Sequence, residues 1–213
     1  MKLAIIGATG MAGTALYKES VSRGHDVTAI VRNKERADSL LGSDAKVINK
    51  DVFELTKSDL AGFDVIVNAF ATAPDQAYLH LDLAAKLIAL FRETESPRLF
   101  FILGAASLLD SEGNLFLDTL KNVPDAASWI SIPIEAYKTL NFLRSVENVN
   151  WVGVSPSAEF VPGEAVVPIL GKDDLLTSAT GESIVTSGTM AVAILNEIEA
   201  PQFIRTRFTV CNQ

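Results

Sequence analysis

Cysteine is nearly absent from this 213-residue chain: Cys211, near the carboxyl end, is the only one. No intrachain disulfide can form, and CxxC redox or zinc patterns are excluded, so the lone thiol fits a reducing compartment. Histidine is almost as scarce. His25 and His80 are far apart in sequence and carry no cysteine or acidic cluster around them, which argues against a metal site. No run of lysine and arginine interrupts a formal net charge of -8, so nucleic acid is not an expected partner. No apolar stretch approaches the ~20 residues needed to span a bilayer. The opening "MKLAIIGATG" has one lysine and a short apolar run that enters a glycine turn rather than a cleavage site. These absences predict a soluble, cytoplasmic protein without metal and without a membrane contact.

What is present is an ordinary globular composition, 48% hydrophobic and 21% charged. A chain of this length buries roughly 70% of its unfolded surface without covalent help. Residues 2–7, 26–32, 46–49, 64–70 and 98–104 are short apolar runs rich in Val, Ile and Phe. Such runs suit strands covered on both faces of a parallel sheet. Helix-like segments at 11–23, 34–41, 56–61 and 75–93 separate them. The alternation predicts an α/β, doubly wound parallel sheet of Rossmann type. Residues 105–128 read as a long loop with at most one helical turn. A helix over 133–147, a strand over 150–155, short strand-like pieces over 157–186, a helix over 189–198 and a strand over 207–210 complete the pattern.

The stretch "AIIGATGMAGTAL" sets Gly7, Gly10 and Gly13 directly after the first strand and at the start of a helix. Gly7 permits the tight turn, Gly10 lets backbone approach a diphosphate, and Gly13 lets the helix pack closely. Free N–H groups and the helix dipole at that end favour phosphate. Inside a βαβ pattern this spacing predicts dinucleotide binding. At the end of the second strand, where NAD-binding chains carry an acid, stand Arg32, Asn33 and Lys34, with Arg36 two residues on. A guanidinium pairs with a 2′-phosphate and an acid repels it, so NADP is favoured over NAD. Arg32 taken alone is also what any solvated surface offers. Asp51 and Val52 follow the third strand and stand where adenine would be flanked, although Asp51 equally suits a turn cap. Ala69, Phe70 and Ala71 follow the fourth, where small residues allow close approach to the cofactor.

These motifs resemble the atypical short-chain dehydrogenases that include NmrA-like proteins and flavin/biliverdin reductases. The similarity is greatest to bacterial proteins described as NADH-flavin reductases or NAD(P)H-binding proteins. It covers nearly the whole chain through "IGATGMAGTAL", "GHDVTAIVRN", "KDVFEL", "LGAASLLDSEG", "LNFLR", "NWVGVSPSAEFVPGE" and "AVAILNEIEAPQFIRTRFTV". The resemblance implies one NAD(P)-binding domain over 1–213, with residues 156–190 forming the substrate lobe. It places Gly7, Thr9, Gly10 and Met11 in the phosphate loop, Arg32 at the 2′-phosphate, Ala69 to Ala71 along the ribose, and Pro156 with Ser155 and Ser157 beside the nicotinamide. The chain also departs from the pattern. Ala105 stands where flavin/biliverdin reductases carry serine, leaving Ser107 as the nearby hydroxyl candidate. Thr189-Met190-Ala191 replaces Asp-Tyr-Ala, with Thr189 able to serve as a helix cap.

The chemistry is narrowed by a further absence. Four residues beyond Tyr17, Tyr78 and Tyr137 stand Val21, Asp82 and Asn141, so no tyrosine has the lysine that would lower its pKa. A phenol of pKa about 10 is a poor acid–base catalyst at neutral pH. Hydride transfer to a flavin, quinone or other conjugated small molecule asks only for stacking in a dry pocket, for which Phe70, Trp129, Phe160 and Pro156 are candidates. His80 falls early in a helix that can face such a pocket, whereas His25 sits in a turn away from it. The competing expectation is a non-catalytic, dinucleotide-binding redox sensor of the NmrA-like type.

Overall fold

A computed structural model describes all 213 residues, Met1 to Gln213. The elements alternate as β1 (Lys2–Ile6), α1 (Met11–Ser22), β2 (Asp26–Val31), α2 (Lys34–Leu41), β3 (Lys46–Asn49), β4 (Val65–Asn68), α3 (Leu79–Leu90) and β5 (Thr94–Ile102). They continue as α4 (Phe116–Lys121), α5 (Ser131–Arg144), β6 (Val149–Pro156), β7 (Glu159–Val161), β8 (Pro168–Gly171), β9 (Ile184–Thr186), α6 (Ser187–Glu199) and β10 (Thr206–Asn212). The main sheet has eight strands in the order β3-β2-β1-β4-β5-β6-β10-β8, parallel except for the antiparallel edge pair β10–β8. A separate two-stranded parallel sheet, β7–β9, packs beside β10, with Thr186 N donating to Asn212 Oδ1 at 3.2 Å.

The apolar runs are continuous because both faces of the sheet are covered. In β1, Leu3 and Ile5 join the apolar cluster under α1 and α6, while Ala4 and Ile6 join the one under α3 and α5. Side chains alternate across a strand, so a strand buried on both faces needs apolar residues at every position. The strand order reverses between β1 and β4, each of which flanks the other. In open α/β sheets ligands collect beyond the carboxyl ends of strands at such a reversal.

Three sequence expectations are corrected here. Residues 56–61 do not form a helix. Thr56 and Asp59 bond to each other, with Thr56 N and Oγ1 donating to Asp59 Oδ2 at 2.7 Å each. The chain then turns at Gly62, whose φ is +84°, before another turn can form. So short a segment gains too few bonds to offset helix nucleation. The long helix starts at Leu79, not 75, because Pro74–Gln76 makes a separate 3-10 turn. Residues 105–128 are more ordered than a loop. They hold α4 and two 3-10 turns, and Asp110 Oδ1 accepts from the backbone N–H groups of Glu112 and Asn114 at 2.9 Å each.

Candidate functional site

The turn after β1 is built by close backbone approach. Gly7 has φ +75°, and a Cβ there would stand 2.5 Å from the Ala69 carbonyl oxygen. A Cβ on Gly13 would stand 2.2 Å from the Gly7 oxygen, so α1 can pack onto the turn only with glycine at that position. Gly10 precedes α1 and offers no side-chain cap. The first-turn N–H groups of α1 therefore remain donors for a ligand.

Beside this turn lies a cleft of about 350 Å³. Gly7, Thr9, Gly10, Val52 and Ala69 to Ala71 form its floor, and Arg32, Asn33 and Arg36 its outer rim. The rim has two guanidinium groups, and no carboxylate lines the cleft. Arg36 is held toward the turn, its Nη2 donating to the Thr9 oxygen at 3.4 Å. Asn33 caps α2 by accepting from Arg36 N at 2.7 Å. Asp51 does not reach the cleft. Its carboxylate accepts from Phe53 N at 2.8 Å as the cap of a 3-10 turn, and the neighbouring Val52 supplies the wall.

A second cavity of about 520 Å³ adjoins the first and shares Gly10, Ala69, Phe70 and Ala71 with it. Met11, at the amino end of α1, lines this second cavity rather than the cleft. Sixteen of its twenty lining residues are hydrophobic, and none is a tyrosine or a lysine. Phe70, Trp129 and Phe160 meet here. Five lining residues come from the middle of the chain: Phe116 and Leu120 on α4, and Ile132, Pro133 and Ala136 on α5. From the segment 156–190 only Ala158 and Phe160 contribute, so the pocket is not chiefly a product of that stretch. The i, i+4 pair Ile132 and Ala136 is the sequence signal that identifies α5 as a wall.

Several candidates lie elsewhere. Pro156 is buried in β6, in register with Val210 of β10, and lines neither cavity. Ser155 Oγ donates to the Gly104 oxygen at 3.0 Å, and Ser157 Oγ to the Val210 oxygen at 2.8 Å, so both serine hydroxyls tie strands together. Ser107 is buried and its oxygen accepts from Arg207 Nη1 at 3.0 Å, which turns it away from a catalytic role. Tyr137 is half-buried on α5 but does not line the pocket. Thr189 is not the cap of the last helix. Thr186 fills that place, accepting from Thr189 N at 3.2 Å, while Thr189 Oγ1 accepts from Val166 N at 3.0 Å.

Sequence reasoning missed Arg207 altogether. Its side chain is 1% exposed, and Nη1 reaches Ser107 and Ser155 while Nη2 pairs with Asp173. Arg144 from α5 meets the same Asp173 oxygen at 2.8 Å. Leu109 N donates to the Asp173 carbonyl oxygen at 2.8 Å, which brings in the segment leading to α4. The cluster fastens the strand end behind the pocket to the elements that form its wall. Its partners are tens of residues apart, so no local motif announces it.

The cleft suits a dinucleotide. An uncapped twelve-residue helix faces it, its glycine turn leaves backbone donors accessible, and its rim is cationic. The chain matches the NAD(P)H-binding family over residues 7–198. It is 35% identical to the uncharacterized protein YwnB of Bacillus subtilis over 216 residues, spanning all of this chain and 99% of YwnB. A crystal structure from Lactobacillus casei superposes with a TM-score of 0.93 at 38% identity, covering 100% of this chain and 99% of the other. One from Streptococcus pneumoniae, described as a candidate NADH-flavin reductase, superposes with a TM-score of 0.88 at 35% identity, covering 100% of each chain. On turn, sheet and relatives together, this chain belongs to the NAD(P)H-binding family and has the Rossmann-type fold of the atypical short-chain dehydrogenases.

Proposed function

We propose that the protein is an NADPH-dependent oxidoreductase of the flavin-reductase type, passing hydride from nicotinamide to a flavin or another planar conjugated molecule. The observation that carries this reading is the apolar pocket of about 520 Å³ that shares Gly10 and Ala69 to Ala71 with the dinucleotide cleft. Gly7 to Met11 would hold the diphosphate at the head of α1, and Arg32 with Arg36 would take the 2′-phosphate. The nicotinamide supplies the hydride when bound. The chain's own part is to orient the two rings and exclude water, which raises the rate without a strong acid. The name of the Streptococcus pneumoniae relative agrees with a flavin acceptor.

The absence of tyrosine and lysine from the pocket disfavours oxidation of an unactivated alcohol, which needs a tuned acid–base pair. The test is NADPH consumption by the purified protein with FMN, FAD and menadione in turn. Turnover with at least one is expected. Tight NADPH binding with no turnover on any of them would replace this reading with that of a dinucleotide sensor.

A further inference from the structure

His80 opens α3 and is the only titratable side chain among the twenty residues lining the apolar pocket. Its Nε2 is shut off from solvent and has no hydrogen-bond partner in the protein. Burial pulls the imidazole below its ordinary pKa against the raising influence of Glu135, so the ring is neutral at pH 7. Buried polar atoms without a partner destabilise a fold, and each one requires a reason. A leucine or phenylalanine would fill this position without that cost.

Two observations tie the ring to the pocket's chemistry. It packs edge-on against Phe70, with centroids 5.4 Å apart and planes at 66°. Phe70 in turn lines both the pocket and the dinucleotide cleft, so His80 stands one aromatic ring from the cofactor. The imidazole also borders a chamber of about 20 Å³ lined in part by Asn68 and Thr139, whose side-chain oxygens are hydrogen-bonded to Phe70 N and Glu135 O. Because Nε2 is closed off, the nitrogen open to an occupant of the pocket is Nδ1, which makes no hydrogen bond within the protein and, in the Nδ1–H tautomer, can donate one.

We propose that His80 is a catalytic residue that donates a hydrogen bond to the carbonyl oxygen or ring nitrogen of the acceptor on which negative charge builds as hydride arrives. The assignment rests on the hydride-transfer reading above and adds a specificity rule: the acceptor must carry such an atom at the edge of an otherwise apolar ring system. Hydride moves with its electron pair from the nicotinamide, which is oxidised, to the acceptor, which is reduced and becomes an anion. The imidazole N–H stabilises that anion, as a donor aimed at developing charge does in a dry site. A proton from solvent water then completes the reduced acceptor.

The experiment uses the whole protein with NADP⁺ bound and its histidines labelled with ¹⁵N. Only two histidines exist, and His25 is held by Glu199 at 2.9 Å on a distant surface, so its signals are the internal control. Addition of FMN, or separately menadione, should shift the ring nitrogens of His80 and leave those of His25 in place. In steady-state assays with the same acceptors, His80→Phe should lose about 100-fold in kcat, the scale of one lost anion-stabilising donor. His80→Gln, which keeps an N–H, should recover at least about a tenth of the wild-type rate. Unmoved His80 signals overturn the assignment, as do a His80→Phe variant with wild-type rates or Phe and Gln variants slowed alike; hydride transfer would still stand. A wild-type protein that binds NADPH and reduces neither acceptor overturns both. If His80→Phe does not fold, the labelled wild-type protein decides.

Discussion

At the scale of single residues, the proposed preference for NADPH rests on Arg32 and Arg36. Both line a cleft that contains no carboxylate, and Arg36 is already directed at the phosphate turn by its bond to Thr9. A guanidinium–phosphate pair is a charge-assisted interaction worth about 1.5–3 kcal/mol, or roughly 10- to 100-fold in affinity. Arg32→Asp is therefore expected to weaken NADPH by that factor and leave NADH nearly unchanged, as measured by fluorescence titration with each cofactor. An unaltered ratio of the two affinities would remove Arg32 from the 2′-phosphate site. Arg32 was legible in the sequence from its place at a strand end. Asp51 occupied an equivalent place one strand on, yet it turns back to its own backbone at Phe53. Strand position shows where a residue stands, whereas side-chain direction depends on local hydrogen bonds that compete for it.

Among the elements, α6 is fixed to the sheet by a buried ion pair that has no part in the site. Glu197 is 3% exposed and pairs with Arg98 of β5. It also accepts from the backbone N–H groups of Gln202 and Phe203 at 3.0 Å, and Arg98 lies over the Phe100 ring at 4.8 Å. Removing one member of such a pair leaves an uncompensated buried charge, which costs about 3–5 kcal/mol. Glu197→Ala should lose that much stability in urea denaturation while its folded fraction keeps wild-type NADPH affinity. A loss under 1 kcal/mol would show that water reaches Arg98. Element type and order were largely readable, because runs of Val and Ile between amphipathic segments have few alternatives. The segment 56–61 was misread because Thr56 and Asp59 mimic a helix start that Gly62 then stops.

Across the whole molecule, Asp173 joins the sheet, α5 and the segment leading to α4. Partial burial by itself would raise its carboxyl pKa, but hydrogen bonds and charge from Arg207, then Arg144, outweigh that and hold it below the usual carboxylate range. A carboxyl whose folded pKa is depressed contributes stability that is complete above its unfolded value, near 3.9, and is lost as pH falls through the folded value. Wild-type stability should therefore decline below about pH 4 with a component that Asp173→Asn lacks. Urea midpoints measured from pH 5 down to pH 2 give the comparison. Equal slopes would mean that Asp173 is no better paired in the folded protein than in the unfolded one. Asp173→Asn should also raise the KM for the acceptor, since it loosens the pocket wall, while leaving NADPH affinity intact.

The sequence by itself determined the doubly wound sheet, the glycine turn at its first strand, the basic residues at its second, and the lack of a tyrosine–lysine pair. Each of these is written in neighbouring residues: a period, a three-glycine spacing, an i, i+4 relation. The tertiary structure alone decided that α4 and α5 give the pocket five of its twenty lining residues, against two from residues 156–190. It alone buried Arg207 against residues 34, 52 and 100 positions away, and left His80 unpartnered beside Phe70. The physical reason is separation along the chain. A backbone pattern is enforced by steric and hydrogen-bonding rules that act over a few residues, whereas a pocket is enclosed by side chains that only the closed sheet brings together.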